Sequence, residues 1–271
     1  MSERVGRAVP STGQPAVPST GQPAVPAPAP TRERVVLDLP DAEVVYFPQL
    51  FTPAQSDAYF AELLDGIGWR RERVTVYGRT FDIPRLTAWY GDPGCCYSYS
   101  GVHLTPQPWT ATLLQIKQAV EAVSGTAFNS VLLNLYRHER DSVSWHADAE
   151  PELGSNPVIA SVSLGATRVF EMKHRQSVGQ PRQAGSTWNH ADCPGSGSTW
   201  NHPACPDEVK RATAPNCPIR RVRLHLTHGS FLLMRGPTQI YWLHQVPKQT
   251  QPVGPRINLT FRRIILSGAG E

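Results

Sequence analysis

The chain has 271 residues, 40% of them hydrophobic, which is enough to bury one sizeable core and allows one or two domains. Its 26 lysines and arginines against 22 aspartates and glutamates leave a net charge of +4, a mild bias that permits a polyanionic partner without demanding one. Five cysteines, two of them adjacent at Cys95 and Cys96, do not make a disulfide framework and point to a reducing compartment; with no run of about 18 apolar residues, no membrane-spanning segment is expected.

Residues 1–31 are rich in proline and small side chains, and STGQPAVP at Ser11–Pro18 repeats at Ser19–Pro26. Such sequence cannot bury enough surface to offset its ordering entropy, so it predicts a disordered, solvated tail, with docking to a protein partner as the alternative. An ordered domain is expected over residues 32–266, followed by a short tail at 267–271. Val35–Leu37 and Val44–Phe47 have the composition of strands. Thr52-Pro53-Ala54-Gln55 then carries an N-cap, a first-turn proline and a capping-box partner, and apolar residues at Tyr59, Phe60, Leu63, Leu64 and Ile67 keep helical spacing. A partly apolar hairpin is expected near Val74–Gly78 and a second helix over Thr110–Val123, stopped by Gly125.

From Phe128 onward strands dominate: Phe128–Tyr136, Val158–Leu164, Arg168–Lys173, Arg221–Leu226, Ser230–Met234 and Arg256–Leu266. Helices followed by many short strands predict an α+β domain built on a β-sandwich or jelly roll. Between about residues 176 and 216 the pattern breaks. GSTWNH occurs at Gly185–His190 and again at Gly197–His202, among Gly, Ser, Pro and Asn, which reads as a duplicated surface insertion.

His146-Ala147-Asp148 is the first candidate for chemistry. In extended backbone, residues two apart point to the same side, so both could grip one metal, with a second histidine supplied from elsewhere in the fold. Two histidines and one carboxylate on one face leave three open positions, which suits iron(II), oxygen and a chelating cosubstrate. Alone the pattern is weak, and chance copies are common: His190-Ala191-Asp192 has the same form, yet its sister copy reads His202-Pro203-Ala204. The last long strand adds to the case. Ile257, Leu259 and Phe261 share one face, whereas Arg256, Asn258, Thr260 and Arg262 share the other. That polar face is either solvated or a dicarboxylate receptor, because guanidinium groups bind carboxylates bidentately. Phe128–Tyr136 echoes it, with Ser130, Leu132, Asn134 and Tyr136 on one side.

Taken together, Asn134-Leu135-Tyr136, His146-Ala147-Asp148, His244 in HQVPK and RINLTFR at Arg256–Arg262 resemble the AlkB family of iron(II)/2-oxoglutarate dioxygenases. PRLTAWYG at Pro84–Gly91, FNSVLLNLYRHERDSVSWH from Phe128 and IASVSLGATRVFEMK from Ile159 bring the resemblance closest to the eukaryotic AlkB homologue three subgroup, known for repair of single-stranded DNA and RNA. The resemblance implies a double-stranded β-helix (jelly roll). In it, His146, Asp148 and His244 ligate iron(II). Arg256, helped by Tyr136, pairs with the distal carboxylate of 2-oxoglutarate, Asn134, Asn258 and Arg262 surround its iron-bound end, Thr260 also contacts it, and Trp69 stands near the cosubstrate pocket. Tyr97 and Tyr99 would flank a flipped base, either stacking on it or simply packing the core, and Glu150 would face the cationic ring of 1-methyladenine or 3-methylcytosine. Ala149 departs from the acidic residue found there in close relatives, which weakens polar contacts at that point. The implied reaction consumes oxygen and 2-oxoglutarate and releases formaldehyde, succinate and carbon dioxide, in a monomer working in nucleus and cytoplasm on alkylated DNA or RNA. The alternatives are the same chemistry on modified transfer RNA or protein side chains, or a binding protein that has lost turnover. Arg221, Arg223 and His225 alternate along one strand, as either a phosphate-binding stripe or a solvated face.

The insertion supplies a prediction that needs only the sequence. His190, Cys193, His202 and Cys205 are the right number and type of ligand for structural zinc, but duplicating one segment copies its histidine automatically, and the glycine-rich flanks offer no apolar core to accompany a zinc knuckle. Deleting Gly185–Cys205 is expected to leave iron binding and turnover largely intact. One equivalent of tight zinc in protein lacking the iron ligands, lost on Cys193→Ser, would refute this.

Overall fold

A computed structural model of the protein describes residues 33–76, 79–95, 97–99, 102–175 and 220–265. The repeated tail, the duplicated insertion and the last residues of the chain lie outside these. The elements in chain order are β1 (Val35–Leu37), β2 (Glu43–Phe47), α1 (Pro53–Gly66), β3 (Arg73–Val76), β4 (Arg79–Asp82), β5 (Leu86–Gly91), β6 (Tyr97–Tyr99), β7 (Val102–Leu104), α2 (Ala111–Ser124), β8 (Ser130–Tyr136), β9 (Val143–His146), β10 (Ile159–Gly165), β11 (Arg168–His174), β12 (Arg221–Leu226), β13 (Ser230–Arg235), α3 (Thr238–Tyr241), β14 (Trp242–Val246) and β15 (Arg256–Arg262).

Local chemistry sets the helix ends. The Thr52 hydroxyl accepts from the Gln55 amide, and the Gln55 side chain accepts from the Thr52 amide, closing the capping box at the start of α1. The Thr110 hydroxyl caps α2 by accepting from the Leu113 amide alone, and Gly125 ends the helix at φ 68°, in the left-handed region where a Cβ is unwelcome. Among the described residues no helix is long and apolar enough to cross a membrane.

Seven strands form one sheet in the order β1-β2-β13-β10-β15-β8-β5, and four form a second in the order β12-β11-β14-β9. The first sheet has two unlike faces. One packs with α1 and α2 around Leu63, Leu113, Ile116, Val131, Leu133, Val162, Leu259 and Phe261. The other meets the smaller sheet around Tyr136, Ile159, Leu232 and Met234 from one side and Phe170, Met172, Val222 and Trp242 from the other. This is the jelly roll that the strand pattern predicts, with the two long helices on one outer face.

β15 holds the middle of the large sheet, between β10 and β8, so both its faces are buried. Its apolar alternates enter the helix-backed core, and its polar alternates therefore point between the sheets. The strand from Phe128 begins at Ser130, the last strand ends at Arg262 instead of Leu266, and several other ends shift by one residue. The sequence pattern missed β5, β6, β7, β9 and β14. β5 is buried on both faces, so it lacks alternation, and the other four have five residues or fewer. The expected hairpin is β3 paired with β4; its tip, Tyr77 and Gly78, lies outside the described residues.

Candidate active site

The two histidines are brought together by strand pairing. His146 ends β9 and lies directly across the ladder from His244 of β14, with ring centroids 4.2 Å apart. Asp148 follows two residues beyond the strand end, and the ligand atoms of all three side chains lie within 4.8 Å of one another. His146 Nδ1 sits 2.8 Å from the Ser144 carbonyl, so that nitrogen donates and leaves the Nε2 lone pair for a metal. The Asp148 amide donates to Gln239 Oε1 at 3.0 Å, and its Oδ1 accepts from Arg262 Nη2. Burial alone would raise the Asp148 carboxyl, but Arg262, His244 and His146 outweigh it and hold the group down at about 2. Burial, reinforced by His146 and opposed by Asp148, brings His244 down to about 3. The arrangement is therefore a carboxylate with a neutral imidazole, the protonation states that a divalent cation requires.

β15 and β8 supply the neighbouring half of the site. Arg256 is 1% exposed; its Nη2 donates to Ser163 Oγ at 2.9 Å, while Nε and Nη1 have no hydrogen-bond partner among the described residues. Burial lowers this guanidinium to about 10 against the support of Tyr136, whose ring centroid is 5.2 Å from Arg256 Cζ. A buried cation with two unused donors is the mark of an anion site. Asn258 donates to Ser161 Oγ at 2.8 Å and to the Val162 carbonyl at 3.1 Å, and its oxygen accepts from Thr260. Asn134 Oδ1 accepts from Arg85 Nε at 2.6 Å.

One cavity is lined by Asn134, Tyr136, His146, Asp148, Glu150, His244, Arg256, Asn258, Thr260 and Arg262, so these expected site residues converge. Trp69 does not join them. Its indole N–H donates to the Leu64 carbonyl at 3.1 Å and its ring packs on the helix-backed core, because the chain leaves α1 on the far face of the large sheet. Tyr97 and Tyr99 form β6, paired with β7; their side chains lie outside what is described, as does His190. Arg221, Arg223 and His225 are exposed, with Arg223 on Glu171 at 2.6 Å, which favours the solvated reading. Sequence reasoning missed Glu72, Arg85, Thr87 and Ser161 in the cavity wall, and Ser163 and Gln239 behind it. No periodicity marks them; only the PRLTAWYG block drew attention to the neighbourhood of Arg85 and Thr87.

The sequence description of the 2OG-Fe(II) oxygenase superfamily matches residues 43–262, spanning both halves of this site. The chain belongs to that superfamily. Its relatives place it in the AlkB branch. It is 37% identical over 211 residues to bovine alpha-ketoglutarate-dependent dioxygenase alkB homolog 3, covering 78% of this chain and 62% of the relative. The human counterpart is 35% identical over 224 residues, covering 82% and 66%, so the chain spans just under two thirds of these proteins' length. Human DNA oxidative demethylase ALKBH2 is 35% identical over 221 residues, covering 80% and 72%. The donors fit what the superfamily's name requires. His146, Asp148 and His244 would hold iron(II), with oxygen as the co-reactant, and the unused donors of Arg256 match a 2-oxoglutarate carboxylate.

Two outcomes follow from this geometry. Replacing His146, Asp148 or His244 with Ala should abolish tight iron(II) binding under anaerobic titration. Asp148→Ala should also lower stability by about 3–5 kcal/mol, because it removes the carboxylate facing a buried guanidinium. Near-normal metal affinity in Asp148→Ala would disprove the metal assignment. Arg256→Lys keeps the charge but loses the planar donor set, so the apparent Michaelis constant for 2-oxoglutarate should rise by about tenfold or more. An unchanged value would move the anchor elsewhere.

Proposed function

We propose that this AlkB-branch oxygenase is an oxidative demethylase of alkylated nucleic-acid bases. It acts on 1-methyladenine and 3-methylcytosine in DNA or RNA and prefers single strands. The single observation that carries the substrate is Glu150. It lines the same cavity two residues beyond Asp148, and its Oε2 is buried without a hydrogen-bond partner. Methylation of a Watson–Crick ring nitrogen of adenine or cytosine makes the ring cationic. A lone carboxylate at the metal's edge favours such a ring and accepts from its exocyclic amine. The names of the human relatives, an alpha-ketoglutarate-dependent dioxygenase and a DNA oxidative demethylase, support the same reading.

The cavity lies between two sheets, so a base must leave its stack, or come from a single strand, to reach it. Arg256 and Tyr136 bind and orient the cosubstrate, His146, Asp148 and His244 fix the metal, and Glu150 turns the ring so that its methyl group faces that metal. Iron(II), 2-oxoglutarate and oxygen, when bound, supply the hydroxylation of the methyl group, whose hydroxymethyl product is lost as formaldehyde while succinate and carbon dioxide leave.

Formaldehyde and succinate release from single-stranded oligonucleotides carrying 1-methyladenine tests this directly, with duplex oligonucleotides, modified transfer RNA and methylated peptides as competitors. Turnover on the peptides alone would overturn the substrate class. Glu150→Gln should reduce kcat/KM on 1-methyladenine about tenfold more than on a neutral methylated base. Equal losses on both would remove the electrostatic argument.

A further inference from the structure

Arg168 opens β11 and is fully buried, yet it does not line the cavity. Its guanidinium reaches three backbone carbonyls: His138 at 3.3 Å, Asp141 at 2.8 Å and Pro247 at 2.8 Å. The first two belong to the turn that leaves Tyr136 and leads to the strand of His146. The third lies three residues beyond His244. One cation thus ties together the chain after the cosubstrate strand, the chain before the first iron ligand and the chain after the last.

Among the described residues no carboxylate accepts from it directly. The Asp141 side chain is taken by Arg137, at 2.8 and 2.9 Å. A buried guanidinium held mainly by carbonyls is a costly way to join loops that apolar packing could join. What distinguishes Arg168 is its second contact: its Cζ stands 5.4 Å from the Tyr136 ring centroid, and Arg256 Cζ stands 5.2 Å from the same ring. Tyr136 is itself buried, so its ring is steered from both the Arg168 and the Arg256 side chains. Two guanidinium groups over one ring, in a low-dielectric interior, repel each other unless an anion is near. The two unused donors of Arg256 mark where that anion would sit.

We propose that Arg168 is a positioning residue that fixes Tyr136 beside Arg256 and thereby selects an oxoacid with a second, remote carboxylate. The proposal rests on the reading that Arg256 and Tyr136 receive that carboxylate. Arg168 touches neither cosubstrate nor metal; it acts through the phenol and through the charge behind it. Its loss should therefore be felt by a five-carbon dicarboxylate and not by a short chelator that occupies only the metal.

The test uses the full chain loaded with manganese(II), which binds without turnover, and measures binding of 2-oxoglutarate and of oxalate by calorimetry. Oxalate has the chelating head but no remote carboxylate. Arg168→Lys should weaken 2-oxoglutarate about tenfold while leaving oxalate within about twofold. Equal weakening of both ligands would show a merely structural clamp, and no weakening of either would show no role; each overturns the proposal. Tyr136→Phe removes the hydroxyl without touching the clamp and should show the same selective loss. If it binds 2-oxoglutarate like the wild type, the proposal fails whether or not Arg168 variants fold. Arg256→Lys separates the two layers: if it leaves 2-oxoglutarate affinity intact, the remote-carboxylate reading itself is wrong, and not merely the role of Arg168.

Discussion

The site rests on a constraint of burial: β15 carries Arg256 and Arg262 into the space between two sheets, where each is almost wholly excluded from water. Moving such a charge from water costs several kcal/mol unless it is paired and hydrogen-bonded. Arg262 is answered within the chain by the Asp148 carboxylate. Arg256 is answered only in part, by the Ser163 hydroxyl and the face of Tyr136. This asymmetry divides the cavity into two functions. The arginine paired with a carboxylate organises a metal ligand, and the one without a carboxylate beside it is left to meet a dissociable acid. Both follow from the pleat of one strand, whose Ile257, Leu259 and Phe261 are held in the helix-backed core and so forbid any slip in register.

The metal half depends on that arrangement. Arg262 holds Asp148 as a carboxylate, and Gln239, from the short helix that precedes β14, fixes its backbone amide. His244 is made neutral by burial in the same interior. The ladder pairing of β14 with β9 then brings His146 opposite it, without relying on a flexible loop for either histidine. Rigid strands supply the two imidazoles, and the residue beyond a strand end supplies the carboxylate, so the metal geometry is largely set before any metal arrives.

How much of this was legible depended on the range of the interaction. The alternation in Arg256–Arg262 and in Ser130–Tyr136 exposed the polar wall of the cavity, because period two survives in strands whose opposite faces meet different environments. The capping box of α1 and Gly125 at the end of α2 marked both long helices, since those signals are local. His146 and Asp148 were visible as a spacing, but their partner His244 is 98 residues away, and no local pattern announces which strands will pair. It was reached through resemblance. Arg85 and Arg168 looked like ordinary charged residues; only tertiary packing shows that both are buried and what they hold. Trp69 went the other way: the resemblance put it near the cosubstrate, whereas the chain leaving α1 keeps it on the opposite face of the sheet.

Charge balance links the two halves to the substrate. The cavity wall carries three arginines, Arg85, Arg256 and Arg262, and three carboxylates, Glu72, Asp148 and Glu150. These six formal charges sum to zero. A divalent cation and a dianionic cosubstrate also sum to zero, so loading the site adds no net charge, although it redistributes what is there. In the loaded site Asp148 would hold the metal and Arg256 would face the acid. Glu150 is then the carboxylate next to the metal ligands with a buried oxygen still unmatched. A neutral base would meet that oxygen only through an exocyclic N–H, whereas a ring carrying one positive charge would meet it with charge as well. The demethylase reading proposed above therefore rests on a local pairing at Glu150 and not on any net charge of the cavity, which is already balanced before a base arrives.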